Sequence, residues 1–227
     1  MSINFMFMAN NVDPENQVKF PYYFDGDITN ANKIIMFIGN SITYHELKPE
    51  IGWNQQNGMA ASDIEHDYVH LVLSHLREKE PSTAAIVFNA GHWELDFNNE
   101  SKLKTIMDVI KQYKPNTVVF RIGENSQRPI VQQKMDPKPA YDNLIKEISN
   151  NCDDVIVTSL FWEYPTLDKI LKDAAIENNA KYVLINDLGY EDENKAIGLY
   201  EHPGVQGHPG NLGMKRIAER IISKLNN

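Results

Sequence analysis

Five short apolar runs, none of which alternates apolar with polar residues, constrain this chain more than any other feature. They are Lys33 to Ile38, Ala84 to Asn89, Thr117 to Ile122, Asp154 to Ser159 and Lys181 to Asn186. All are rich in β-branched and aromatic residues, and unbroken hydrophobicity over about six residues marks a strand covered on both faces. Between them the period changes to that of a helix. Leu103, Ile106, Met107 and Ile110 form one stripe, and Tyr141, Leu144, Ile145 and Ile148 another. Leu167, Ile170, Leu171, Ala174 and Ala175 make a third, and Met214, Ile217, Ala218, Ile221, Ile222 and Leu225 the cleanest. Each is the core-facing side of an amphipathic helix. A further helix is predicted over Ser62 to Leu76, with Ser62 or Asp63 as N-cap.

Parallel neighbours need a crossover element, so strand and helix alternating five times predict a three-layer α/β/α sandwich around a five-stranded parallel sheet. No repeat, low-complexity tract or Gly/Ser linker interrupts residues 32–227, which read as a single domain. Residues 1–31 lack periodicity and read as an N-terminal arm or loop. Gln127 to Pro139, with three prolines, is predicted to be a long loop, as is Gly189 to Gly210.

Thirty-one acidic residues against 22 basic ones give a net charge of -9, which argues against nucleic acid or an anionic membrane as partner. The single cysteine, Cys152, excludes an intramolecular disulfide and a Cys-rich zinc site, and its acidic neighbours argue for an inert thiol. Apolar stretches such as Ile34 to Ile38 are too short to cross a bilayer. Met1 to Met8 has neither the basic start nor the sustained apolar segment of a signal peptide. The expectation is a cytoplasmic protein, or a secreted or periplasmic one if a leader preceded this numbering.

In an open parallel sheet, ligands bind outside the carboxyl ends of the strands. Just past the predicted strands stand Gly39-Asn40-Ser41-Ile42-Thr43, Ala90-Gly91-His92-Trp93-Glu94, Gly123-Glu124-Asn125-Ser126, Phe161-Trp162-Glu163 and Asp187, with His208-Pro209-Gly210 before the last helix. Taken singly, Ser41 could be a turn or capping residue, His208 a loop histidine, and Asn125 a turn former. Together they form an ordered set. Gly39-Asn40-Ser41-Ile42-Thr43 resembles the first block of the SGNH, or GDSL, hydrolases, and Asn89-Ala90-Gly91 is similar to the second. Gly123-Glu124-Asn125 resembles the third, and His208-Pro209 with Gly213 the fifth.

The resemblance implies a flavodoxin-like strand order and an ester hydrolase needing no metal or organic cofactor. It implies Ser41 as nucleophile and His208 as the base that takes its proton. The oxyanion hole would be the backbone N–H groups of Ser41 and Gly91 and the side-chain amide of Asn125. Small acyl groups, O-acetyl groups on carbohydrate first, are the substrates it suggests. Two positions depart from the pattern. Val205 stands where the family carries an aspartate three residues before the histidine. That leaves a Ser-His dyad aided by a backbone carbonyl, or a recruited acid: Glu201, Asp187 or Glu163. Asn40 replaces the usual aspartate beside the serine and can still hydrogen-bond a turn. Three other functions compete: a degenerate relative that binds carbohydrate or a protein partner, an acyltransferase using the same serine, and a flavodoxin-like binder with Ser41 and Thr43 on a phosphate.

Several further residues have two readings. Trp53, Trp93 and Trp162 lie in or near edge loops and serve either packing or stacking on a sugar, with packing favoured for Trp162. Glu94 is either a substrate contact or a solvated charge. His66 and His70 have metal-ligand spacing but no third ligand, so surface or packed histidines are expected.

Overall fold

A computed structural model of the protein describes residues 21–225. Its sheet has six strands: β1 (Tyr22–Asp25), β2 (Ile34–Gly39), β3 (Ala84–Asn89), β4 (Thr117–Arg121), β5 (Asp154–Thr158) and β6 (Lys181–Val183), in the order β1-β3-β2-β4-β5-β6. The five predicted strands are all present, all parallel, and in the flavodoxin-like order. The sixth, β1, was not anticipated. It pairs antiparallel with β3, Tyr22 opposite Phe88 and Asp25 opposite Ala85, and so covers the edge that β3 would otherwise leave open. It lies inside the segment read as an arm, where four edge residues, of which Tyr23 alone is buried, carry too little pattern to register. Residues 1–20 of that segment lie outside the described residues.

The absence of alternation within the strands has a direct cause. Met36 and Ile38 of β2, Ile86 and Phe88 of β3, and Val118 and Phe120 of β4 face one layer, while Ile35, Phe37, Ala85, Val87 and Val119 face the other. Both faces are buried, so both sets are apolar. The first layer is α3 (Glu100–Tyr113), α5 (Lys138–Ser149) and α6 (Pro165–Glu177); the second is α1 (Tyr68–Lys79) and α8 (Asn211–Leu225), packed on each other. The predicted stripes are the buried faces of these helices.

The last predicted strand stops at Val183, and its expected end, Asn186, opens a 3-10 turn over Asn186–Tyr190. Three further boundaries differ from expectation. Asp63 caps only a 3-10 turn over Ile64–His66, and α1 begins later, where Asp67 accepts from His70 N at 2.8 Å. The proline-bearing loop contains a helix, α4 (Gln127–Gln133), with Pro129 in its first turn, and Pro139 opens α5. Those prolines sit where a helix lacks N–H partners anyway, so they start helices here instead of preventing them. The loop from Gly189 to Gly210 includes a 3-10 turn over Asp192–Asn194 and the four-residue helix α7 (Pro203–Gln206). One further short helix, α2 (Gly91–Glu94), follows β3. No helix among the described residues is long and apolar enough to cross a membrane.

Candidate active site

The reversal of strand order falls at β2, which has β3 on one side and β4 on the other. Ser41, Gly91 and Asn125 follow these three strands. The register aligns Gly39 with Asn89 and with Arg121, so the segments leave the sheet side by side. Ser41 sits in a tight turn in which Thr43 N and Tyr44 N both donate to Asn40 O, at 2.9 and 3.0 Å. The turn folds back so closely that a Cβ on Gly39 would meet Thr43 Oγ1 at 1.7 Å, which is why the position before Asn40 must be glycine. Thr43 Oγ1 is hydrogen-bonded to Tyr68 Oη at 2.7 Å, anchoring the turn to the start of α1.

His208 arrives from the other end of the chain. Ala196 N donates to His208 O at 3.0 Å and Gly210 N to Asn194 O at 3.0 Å, so the loop closes on itself just before α8. Gly213 allows that closure, since a Cβ there would lie 2.1 Å from Asn194 O. The outcome is a contact of 2.8 Å between Ser41 Oγ and His208 Nε2, across 167 positions of sequence. On the far side of the ring, Nδ1 stands 2.6 Å from Gly204 O. A carbonyl only accepts, so Nδ1 must carry the proton, and Nε2 presents its lone pair to the Ser41 hydroxyl. Burial pushes the His208 pKa down to about 4, which keeps the ring neutral at ordinary pH. Trp162 meets the ring edge-on, with centroids 5.3 Å apart.

No acid candidate lies behind the imidazole. Asp187 forms a two-pronged ion pair with Arg220, Glu163 accepts from the Tyr190 hydroxyl, and Glu201 is exposed. The Gly204 carbonyl occupies the place such an acid would take. Val205 points away into a small apolar cluster with Trp53, Met59, Ala60 and Ala196, and is fully buried.

Beneath the serine turn lies a charged cluster with almost no solvent exposure. Arg121 Nη1 donates to Glu124 Oε1 at 2.6 Å, and its Nη2 to Asn40 Oδ1 at 2.5 Å. Asn40 Nδ2 in turn donates to Glu124 Oε2 at 2.6 Å and to Glu94 Oε1 at 3.1 Å. Glu94 is wholly buried, so it is neither a solvated charge nor a surface substrate contact. Its Oε2 accepts from Asn125 Nδ2 at 2.5 Å. Gly91 N donates to Asn89 Oδ1 at 2.9 Å, and a Cβ on Gly91 would lie 3.9 Å from Asn125 Nδ2. Gly91 and Asn125 therefore border the same space, with one hydrogen of the Asn125 amide held by Glu94. The sequence did carry one sign of this cluster. Arg121 interrupts an otherwise apolar strand, and a charge buried there requires a buried partner.

The remaining candidates fall elsewhere. Trp53 packs against Tyr200, and Trp93 against Tyr141. His66 pairs with Asp63, while His70 lies between Asp67 and Asp25. No group of three metal-ligating side chains occurs among the described residues. The thiol of Cys152 is pushed up to about 12 by burial and by Asp153.

No family model and no curated protein matches the sequence significantly. Solved structures do match. Axe2, an acetylxylan esterase from Geobacillus stearothermophilus, is 19% identical, with a TM-score of 0.56 over 87% of this chain and 95% of that one. TesA is 14% identical, with a TM-score of 0.53 over 85% of this chain and 98% of that one. Both have the SGNH hydrolase fold, and it is the fold of this chain. Catalytic mutants of Axe2 replace a serine, a histidine and an aspartate, the last lying three positions before the histidine. The spacing is the one at which this chain carries Val205.

Proposed function

We propose that this protein is a serine-dependent carboxylic ester hydrolase that removes small acyl groups, acetyl first, from a small-molecule or carbohydrate ester. The contact of 2.8 Å between Ser41 Oγ and His208 Nε2 carries the reading. His208 takes the Ser41 proton as Oγ attacks the ester carbonyl. The tetrahedral oxyanion is met by the N–H groups of Ser41 and Gly91 and by the free hydrogen of the Asn125 amide; for Gly91 this means turning from, or sharing with, Asn89. The imidazolium then protonates the leaving alcohol, and the acyl-serine is cleaved by a water that His208 deprotonates in the same way. The Gly204 carbonyl supplies the tautomer that a triad acid would fix, without its negative charge.

The preference for acetyl esters of carbohydrate rests on the likeness to Axe2, whose substrate is acetylated xylan by name. The lack of an acid behind His208 favours a second reading: a fold that binds such a ligand without turning it over. Hydrolysis of p-nitrophenyl acetate and of acetylated xylo-oligosaccharides separates the two. Ser41→Ala is expected to lower the rate at least about 1,000-fold; equal rates for the two proteins would overturn the enzyme reading.

A further inference from the structure

The Asn125 amide can serve an oxyanion only if one of its hydrogens faces the serine, and a freely turning side chain would not ensure that. We propose that Glu94 is a positioning residue for this reaction: its buried carboxylate grips one Asn125 amide hydrogen and thereby aims the other at the edge where Ser41 and Gly91 stand. The inference rests on the hydrolase reading and adds to it a residue that touches neither substrate nor nucleophile.

Four N–H groups converge on Glu94. Oε1 accepts from Gly123 N at 2.5 Å, from Asn40 Nδ2 at 3.1 Å and from Asn125 N at 3.4 Å, while Oε2 accepts from Asn125 Nδ2 at 2.5 Å. One side chain thus fixes both the backbone entering the Asn125 turn and the amide at its tip. It also fixes which way round the amide lies, because a carboxylate accepts from Nδ2 and repels Oδ1. Every neighbour being a donor, the ionised form alone satisfies them all. A protonated carboxyl would have to aim an O–H at a group that has only a hydrogen to offer.

The charged and titratable groups around Glu94 are Glu124 and Arg121, from β4 and the turn after it, and Tyr141 from α5, hydrogen-bonded to Ser126. Burial, and then the Glu124 charge, push Glu94 up to about 7. Glu124 goes the other way: burial raises it, but the Arg121 pair outweighs burial and the net shift is downward. The single guanidinium therefore serves Glu124, and Glu94 is the carboxyl that takes a proton first. Protonation loosens Asn125, so activity should rise with pH through neutrality. Burial pushes His208 down to about 4, so its own limb is expected at lower pH, and Glu94→Gln separates the two.

The experiment compares pH profiles of kcat and kcat/KM for p-nitrophenyl acetate in the wild type, Glu94→Gln and Asn125→Ala, with thermal melts as a check on folding. The wild type is expected to lose activity as pH falls through about 7 and Glu94→Gln to lose that limb. Glu94→Gln should also show a kcat at least about 10-fold lower with little change in KM, because the lost interaction belongs to the transition state. Asn125→Ala should likewise lack the limb. In parallel, the side-chain 15N resonance of Asn125 should titrate with the same midpoint in the wild type and stay still in Glu94→Gln. An unaltered limb in Glu94→Gln, or an Asn125 amide that does not titrate in the wild type, overturns the proposal. The amide signal decides the matter even if Glu94→Gln does not fold. Wild-type activity equal to that of Ser41→Ala would instead overturn the hydrolase reading, a separate failure.

Discussion

Asn40 is bound to both signs of charge at once. Its Oδ1 accepts from Arg121 and its Nδ2 donates to two glutamates, a combination open to an amide and closed to a carboxylate. Aspartate at this position would set a third negative charge against Glu94 and Glu124, with one arginine to share. We therefore predict that Asn40→Asp destabilises the fold by about 2–4 kcal/mol at neutral pH. Urea denaturation at pH 7 checks this, and an unchanged midpoint would refute it. The sequence made Asn40 legible as a turn former, and Ile42 N does donate to its Oδ1 at 3.2 Å. Its larger role was hidden because the partners lie 54 and more positions away, on α2 and β4. Ser41 and His208 were legible because each sits at a fixed offset from an element whose periodicity is unmistakable.

Among the elements, α7 decides how the His208 ring is oriented. Its Gly204 carbonyl holds Nδ1 of His208, while Val205, one residue on, plugs the apolar pocket of Trp53 and Ala196. The same turn cannot send the 205 side chain to the imidazole as well. Val205→Asp is accordingly predicted not to restore a triad. It buries an unpaired carboxyl and should cost on the order of 3 kcal/mol of stability while lowering the esterase rate. A melting curve and a rate on p-nitrophenyl acetate test this together; a faster, equally stable variant would sink it. The parallel strands were readable because both their faces are buried and so read as unbroken apolar runs, and the five long helices because each buries a periodic stripe. What was missed, β1, α2, α4 and α7, is short or at an edge, where tertiary contacts outweigh local pattern.

Across the whole molecule, His70 sits where α1, β1 and the segment beneath the serine turn come together. Its Nδ1 is 2.7 Å from Asp67 Oδ1, and its Nε2 stands 3.2 Å from Asp25 Oδ2 on β1, an ion-pair distance off the hydrogen-bonding line. Arg77 reaches the same Asp25, and Asp67 Oδ2 accepts from Gly58 N, next to Met59, whose N–H holds Ser41 O. Burial alone would lower the His70 pKa, but Asp67 and Asp25 more than offset it and raise it to about 9. A folded pKa above the unfolded one, near 6.5, contributes stability that is complete below that value and disappears as pH rises to about 9. We predict a loss of about 2–3 kcal/mol across that window, absent in His70→Gln, read from urea melts at pH 6 and pH 9. Equal slopes for the two proteins would refute it.

The 167 positions between hydroxyl and imidazole have a consequence during synthesis. A ribosome delivers the serine long before the histidine, and the interval includes four of the six strands. Throughout that time the Ser41 hydroxyl lacks the imidazole that stands 2.8 Å from it in the folded chain. On the hydrolase reading proposed above, the polypeptide is silent towards acyl esters until the loop carrying His208 docks with α8, and its arming step is the completion of its own tertiary structure.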